Sequence, residues 1–224
     1  MSLDFNTVEK GFKAAHSGKC VEAEKGLIAA QSVFASEAGA EILRSGGNAV
    51  DAAVSAALAL GVTEPQASGL GGQTMMLIHT PNGTVAIDGS SRAPSLAHVG
   101  AVYTRDRSLG YRAATVPSTP AVLWYIQNRY GCLKWEQIVE PAYMLAKNGY
   151  STSDLQSRLQ SRELANFMKI DSKSGAKYFL NNGGKDPYLP GQIFKQDDLA
   201  QCLRKISEKG IEEFYRGTIA RQID

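Results

Sequence analysis

The sequence predicts an α+β fold, on three observations. Two apolar helical stretches are separated by Gly46-Gly47, an Asn82-Gly83 turn lies between extended apolar runs, and helical spacing dominates the chain beyond Pro120.

Taken in order, Ser36 is placed to cap a first helix whose apolar residues Ala35, Ala38, Ile42 and Leu43 fall about one turn apart. Glu37 and Glu41 would lie near its positive end. Gly46-Gly47 ends it, because glycine takes the left-handed conformation that a helix C-terminus often needs. Asn48 is expected to cap the next helix, with Asp51 as a shortened capping-box partner. From Ala49 to Leu60 that helix is alanine-rich and apolar on most sides, which predicts burial, with Ala53 and Ala57 on a close-packed small-residue face. The apolar run to Val62 is interrupted by Asp51 and Ser55 and is shorter than the roughly 18 to 20 residues of a bilayer crossing.

Glu64-Pro65 and Ser68-Gly69-Leu70-Gly71-Gly72 follow, then a strand from Met75 to His79, the Asn82-Gly83 turn, and a returning strand from Thr84 to Asp88. The glycines do not make a dinucleotide-binding fingerprint, which follows a strand, opens a helix and ends on a third glycine where this chain has Thr74. They read as a turn that lets backbone pass close to packed neighbours. Further helices are expected over Pro120 to Tyr130 and Lys134 to Asn148. The second has Ile138, Val139, Ala142 and Leu145 on its core face and Pro141 as a point of kinking or restarting. Ser172 to Gly184 reads as an exposed loop, and Arg105, Asp106 and Arg107 as a surface run. Lys205, Glu208, Lys209, Glu212 and Glu213 decorate one C-terminal helix.

A chain of 224 residues with 43% hydrophobic content can bury a sizeable core. A net charge of +2, with no basic run interleaved with aromatics, argues against a nucleic-acid partner. The three cysteines, Cys20, Cys132 and Cys202, are too far apart for a metal cluster or a disulfide framework and read as small half-buried hydrophobes. His16, His79 and His98 are equally scattered, so no metal or other cofactor is expected. The first residues lack the apolar stretch of a secretory signal.

Several spaced blocks together resemble the large subunit of γ-glutamyltransferases: SEAGAEIL, GGNAVDAA, ALALGVTEP and SGLGG, then YRAATVPSTP, Val122-Leu123-Trp124, Glu140-Pro141-Ala142 and Phe214-Tyr215-Arg216-Gly217. The resemblance divides the chain into an N-terminal extension, 1–26, and a large-subunit region, 27–224, that is a fragment of one larger domain. It implies part of a four-layer αββα sandwich of the N-terminal nucleophile hydrolase type, incomplete without a C-terminal small subunit cut from the same precursor. The implied reaction is cleavage of γ-glutamyl amides such as glutathione-like compounds, with transfer to water or an acceptor through an ester on a threonine outside this chain. Alternatives are hydrolysis of poly-γ-glutamate or another acyl amide, or a non-catalytic binding domain of the same fold. Relatives are often periplasmic or extracellular. The fragment alone is expected to be inactive and to self-associate.

No catalytic residue is expected in this chain. The resemblance does imply an arginine that grips the α-carboxylate of the glutamyl group, in a segment reading Asp, any residue, Arg, Glu, any residue, Ala-Pro. Here the segment is Asp88-Gly89-Ser90-Ser91-Arg92-Ala93-Pro94. Ser90 and Ser91 occupy the arginine and glutamate slots, and Arg92 lies two positions beyond the arginine slot, about 6.5 Å further if the strand continues. Arg92, or Ser90 and Ser91 in its place, are the candidate substrate contacts. Gln73 stands where the family prefers another glycine.

Overall fold

The computed structural model describes residues 22–98, 100, 103, 110–169 and 174–223. His16, Cys20 and the Arg105 to Arg107 run lie outside the described residues. The chain opens with α1 (Val33–Arg44) and α2 (Ala49–Thr63), continues through a hairpin of β1 (Thr74–Thr80) and β2 (Gly83–Gly89), and turns helical in α3 (Thr119–Tyr130) and α4 (Trp135–Asn148). Then come β3 (Tyr150–Ser151), α5 (Asp154–Lys169), α6 (Ser174–Phe179), β4 (Ile193–Phe194), α7 (Asp197–Lys209), α8 (Glu212–Tyr215) and α9 (Thr218–Ile223). Helix and sheet are mixed, as the α+β expectation required. Among the described residues, no helix is long and apolar enough to cross a membrane.

The cap of α1 is Ser32 rather than Ser36. Ser36 lies inside the helix, where its Oγ accepts the Ala30 N–H at 3.0 Å and so ties down the incoming chain. Glu41 sits at the far end and pairs with Arg44 at 3.1 Å. The Asn48 cap of α2 is as expected: its side chain accepts the N–H groups of Val50 and Asp51, and the Asp51 carboxylate accepts the Asn48 N–H at 3.0 Å. This helix is buried on most sides, packed against α1, α3 and α4. Its most covered alanines are Ala52, Ala56 and Ala59, while Ala53 and Ala57 are only half-buried, so the close-packed face is turned from the expected one. A Cβ placed on Gly39 of α1 would stand 2.9 Å from the Ala52 carbonyl and press on Ala56 and Ile28.

Within the hairpin, Thr74 lies opposite Gly89 and Thr80 opposite Gly83, so the connection is Pro81-Asn82, one residue before the expected Asn82-Gly83. Thr80 explains the shift. Its Oγ1 accepts the Asn82 N–H at 3.2 Å and donates to Gly83 O at 3.1 Å, closing the turn on a hydroxyl, while Gly83 takes a φ of +126°. Ile78 is buried on one face; on the other, Met75 and Leu77 are 64% and 74% exposed.

Pro141 neither ends nor restarts α4, which runs unbroken from Trp135 to Asn148 and buries Trp135, Ile138, Val139, Ala142 and Ala146. The expected C-terminal helix is broken instead. Gly210, with φ +76°, ends α7, and Glu212 begins α8. The segment expected as an exposed loop contains α6, which buries Ala176 and brings Leu180 to the core. Phe194 is fully buried among Tyr150, Phe179 and Tyr188, with ring centroids 5.8, 6.5 and 5.0 Å away.

Among the described residues, one charged side chain lies deep in this packing. The side chain of Asp51 has no exposed surface and accepts the Cys132 N–H at 2.9 Å, the Cys132 thiol at 3.1 Å and the Leu133 N–H at 3.5 Å, besides Asn48. Burial alone would raise its pKa, but these donors outweigh it and hold the carboxyl below the usual range. Asn48 adds a bond from its Nδ2 to Tyr130 O at 2.7 Å.

Two stability predictions follow from this packing. Asp51→Asn keeps the shape but removes the charge and one acceptor, and should cost about 2 to 3 kcal/mol at neutral pH by denaturant unfolding. Because the folded pKa is depressed, the wild-type advantage is complete above the unfolded value near ~3.9 and is lost as pH falls through the lower folded value. A gap between the two proteins that stays constant below about pH 4 would show the charge to be irrelevant. Ala56→Leu should overpack the α1–α2 contact and cost about 1 to 3 kcal/mol. Ala53→Leu at its half-buried position should cost less, and equal losses would contradict the burial seen.

Candidate functional site

The loop between α2 and β1 is held by backbone. Gly69 takes a φ of +153°, and a Cβ on Gly61 would stand 3.1 Å from Gly69 Cα, so the loop lies directly on the last turn of α2. The carbonyl of Gly72 accepts the N–H groups of Ser118 and Thr119 at 3.0 and 3.2 Å. Thr74 and Thr119 share a hydroxyl hydrogen bond of 2.9 Å, and Ser118 Oγ donates to Gly89 O. The glycine loop, both ends of the hairpin and the start of α3 therefore converge. They border an open cleft of about 720 Å³, lined by Gly69, Gly71, Gly72, Gln73, Thr119 and Gln196 among others. The loop follows a helix and enters a strand, the reverse of a dinucleotide-binding turn.

Blocks far apart in sequence meet at this convergence. Tyr215 Oη accepts the Ala121 N–H at 3.2 Å and donates to Pro117 O at 2.9 Å, so the Phe214-Tyr215-Arg216-Gly217 block pins the first turn of α3.

The three candidate substrate contacts lie just past the end of β2, beside the cleft rather than in its wall. β2 stops at Gly89, where a Cβ would collide with Thr74 O and Val122. Beyond it Ser90 folds back: its N–H and Oγ both donate to Asp88 Oδ1, at 2.9 and 2.7 Å. These two bonds, the side-chain one foremost, hold the Asp88 carboxyl below its ordinary pKa. Ser91 donates its N–H at 3.1 Å and its Oγ at 3.4 Å to Gln73 Oε1. Strand alternation therefore ends before it can carry the facing of Ser90 on to Arg92. Arg92 instead forms an isolated bridge with Val116, through Arg92 N to Val116 O at 3.3 Å and Val116 N to Arg92 O at 2.8 Å. Its side chain is exposed.

Sequence reasoning noted Gln73 only as a departure in the loop; the structure makes it the link between the cleft wall and the serine segment. Nothing local in the sequence pairs it with Ser91, eighteen residues on.

The described cysteines differ from one another. Cys202 is half-buried, and burial pushes its thiol up to about 11. Cys132 is exposed, against expectation, because its role is polar: its thiol donates to Asp51, and that bond raises its pKa. Neither has the lowered pKa of an activated thiolate. His79 is exposed and bonds Thr84 through Nδ1 at 2.8 Å. Among the described residues, no three His, Cys, Asp or Glu side chains gather as a metal site.

Comparison with known proteins places this geometry. The Gamma-glutamyltranspeptidase family model matches residues 35–224. A glutathione hydrolase proenzyme of Pseudomonas sp. (strain A14) is 35% identical over 211 residues, covering 91% of this chain and 36% of that protein. The γ-glutamyltranspeptidase of Helicobacter pylori superposes with a TM-score of 0.84 at 37% identity, over 91% of this chain and 60% of that one. That of Pseudomonas nitroreducens, complexed with L-DON, gives 0.80 at 33% identity over 90% and 60%. The chain thus spans about a third of the length of the curated relative. With the family model matched from the first turn of α1 to the last residue and the solved relatives superposing on the same elements, the chain belongs to the γ-glutamyltranspeptidase family.

Proposed function

We propose that the chain is the large-subunit portion of a γ-glutamyl transferase or hydrolase, its site completed by a small subunit from the same precursor. Residues 27–224 are then part of one larger domain, with 1–26 as an extension. The observation that carries this reading is the family match along residues 35–224, in a chain reaching only 36% of the length of a proenzyme relative. The exposed Met75 and Leu77 support it: β1 is apolar toward both faces, as suits a strand covered on both sides in a layered αββα sandwich.

In the proposed reaction, a threonine hydroxyl at the start of the small subunit attacks the γ-carbonyl of the glutamyl group. Its proton passes to the threonine's own free α-amine, whose pKa of about 7.7 to 8.0 suits a base near neutrality. The C–N bond then breaks, the amine leaves with that proton, and water or an acceptor amine cleaves the ester.

This chain's part is to hold the glutamyl end. Ser90 already directs its hydroxyl proton to Asp88, and Ser91 to Gln73. The Arg92 guanidinium is exposed and enters no ion pair among the described residues, so its planar fork is free to take a carboxylate. Arg92 is therefore favoured over the serines as the group that meets the α-carboxylate.

In the completed enzyme, Arg92→Ala should weaken binding of a γ-glutamyl anilide by about 2 to 3 kcal/mol, and Arg92→Lys by less. An analogue lacking the α-carboxylate should bind wild type and variant alike. Equal losses on both substrates, or a melting temperature that falls in step with activity, would assign Arg92 to structure.

Expressed alone, the 224-residue chain should show no γ-glutamyl-anilide hydrolysis and should self-associate through the uncovered hairpin face. Turnover by the pure chain, abolished by mutating one of its own residues, would overturn the half-enzyme reading. A monodisperse monomer in light scattering, unfolding cooperatively, would favour a self-sufficient binding domain instead.

A further inference from the structure

We propose that Gln73 is a positioning residue for Arg92, its side chain a strut from the cleft wall that fixes where the arginine meets the α-carboxylate of the substrate. The inference rests on the acyl-transfer reading of Arg92 and goes beyond it. Gln73 stands where the family prefers a glycine, and Ser91 occupies the family's glutamate slot. The two departures meet in space, because Ser91 donates its N–H at 3.1 Å and its Oγ at 3.4 Å to Gln73 Oε1.

The near end of the strut is firmly held. On one side Gly72 O accepts the Ser118 and Thr119 N–H groups at the start of α3; on the other, Thr74 pairs with Gly89 in the hairpin and shares a hydroxyl hydrogen bond with Thr119. Gln73 is thus anchored through both of its neighbours. From there its side chain reaches across to the segment beyond β2.

The far end depends on it. Ser90 folds back on Asp88, a contact within the segment itself, and Arg92 pairs through backbone with Val116. Between them, among the described residues, Ser91 has no hydrogen bond besides the two to Gln73. A backbone N–H only donates, so the Gln73 oxygen must face Ser91 and the strut has one orientation. Without that acceptor Ser91 is hydrated instead, and the Ser90-to-Arg92 turn loses its side-chain link to the cleft wall. The Arg92 side chain is exposed, so the backbone that carries it sets its reach. Bidentate contact with a carboxylate tolerates little displacement.

Gln73 also lines the cleft, which makes direct contact with substrate the competing role. The test measures kcat and KM of the complete precursor, with its small subunit, on γ-glutamyl anilide and on 4-aminobutyryl anilide, which lacks only the α-carboxylate. Gln73→Met keeps the length without the acceptor. It should raise KM for γ-glutamyl anilide about tenfold, with kcat nearly unchanged and the 4-aminobutyryl substrate unaffected. Gln73→Glu keeps an oxygen for Ser91 and should lose less. In an Arg92→Ala background, Gln73→Met should cost nothing more, since it acts through the arginine. Losses that add in the double variant, equal losses on both substrates, or a melting temperature that falls in step with the rise in KM would each overturn the proposal. So would Gln73→Glu losing more than Gln73→Met, which marks direct contact with the substrate carboxylate. A wild-type precursor that cleaves neither substrate would overturn the acyl-transfer reading and this inference with it. Cleavage of γ-glutamyl anilide that Gln73→Met leaves unchanged would overturn this inference alone.

Discussion

The geometry of the candidate site depends on how α2 and α3 are tied together, and the strongest tie is the buried carboxylate of Asp51. An ionised group with no exposed surface is tolerable only if hydrogen bonds replace the water it has lost, and Asp51 draws them from its own helix start and from the turn after α3. Because that carboxylate also lies at the N-terminus of α2, the helix dipole favours its charge. At the opposite ends of the same helices, Gly72 O binds the first N–H groups of α3. The two helices are thus clamped at both ends by unlike means, a charge at one and backbone at the other. The glycine loop and the cleft beside it have little freedom to shift without breaking one of the two.

Since so much of the site is backbone, the residues that matter there are those whose side chains are missing. A Cβ on Gly89 would meet Thr74 O and Val122, and one on Gly61 would crowd Gly69. These absences let the end of the hairpin lie against α3 and the loop against α2. The polar segment that follows is nearly self-satisfied. Asp88 takes both donors of Ser90, and Gln73 takes both donors of Ser91. Arg92 beyond them is exposed, on backbone anchored to Val116.

Where local chemistry decides the outcome, the sequence was legible. The Asn48–Asp51 cap, the glycine stop before it, the hairpin strands and the apolar face of α4 all follow from spacing and side-chain chemistry within a few residues. The errors arise where a distant or competing contact wins. Ser36 was as good a cap as Ser32 until Ala30 claimed its hydroxyl, and Thr80 moved the turn by taking the Asn82 N–H. Ala53 and Ala57 are no less suited to packing than Ala52 and Ala56, and only the position of α1 chooses between them. For the candidate site, the facing of Arg92 was not readable from strand alternation, because β2 stops at Gly89 and Ser90 folds back onto Asp88. The sequence analysis drew no expectation for Gln156 and Gln160, which are buried with their carboxamides bonded to Tyr150 and Tyr188.

The hairpin carries one further constraint. A two-stranded sheet is marginal alone, and this one is held because Ile78, Met76 and Ile87 pack on the helical core. Its outer face offers Met75 and Leu77 to water where a solvent-facing strand would alternate to polar side chains. Charged or polar residues at those positions would keep an open edge and face from pairing with other chains, and their absence removes that protection. The exposed apolar side chains of β1 therefore accord with the proposal that a further layer covers the hairpin.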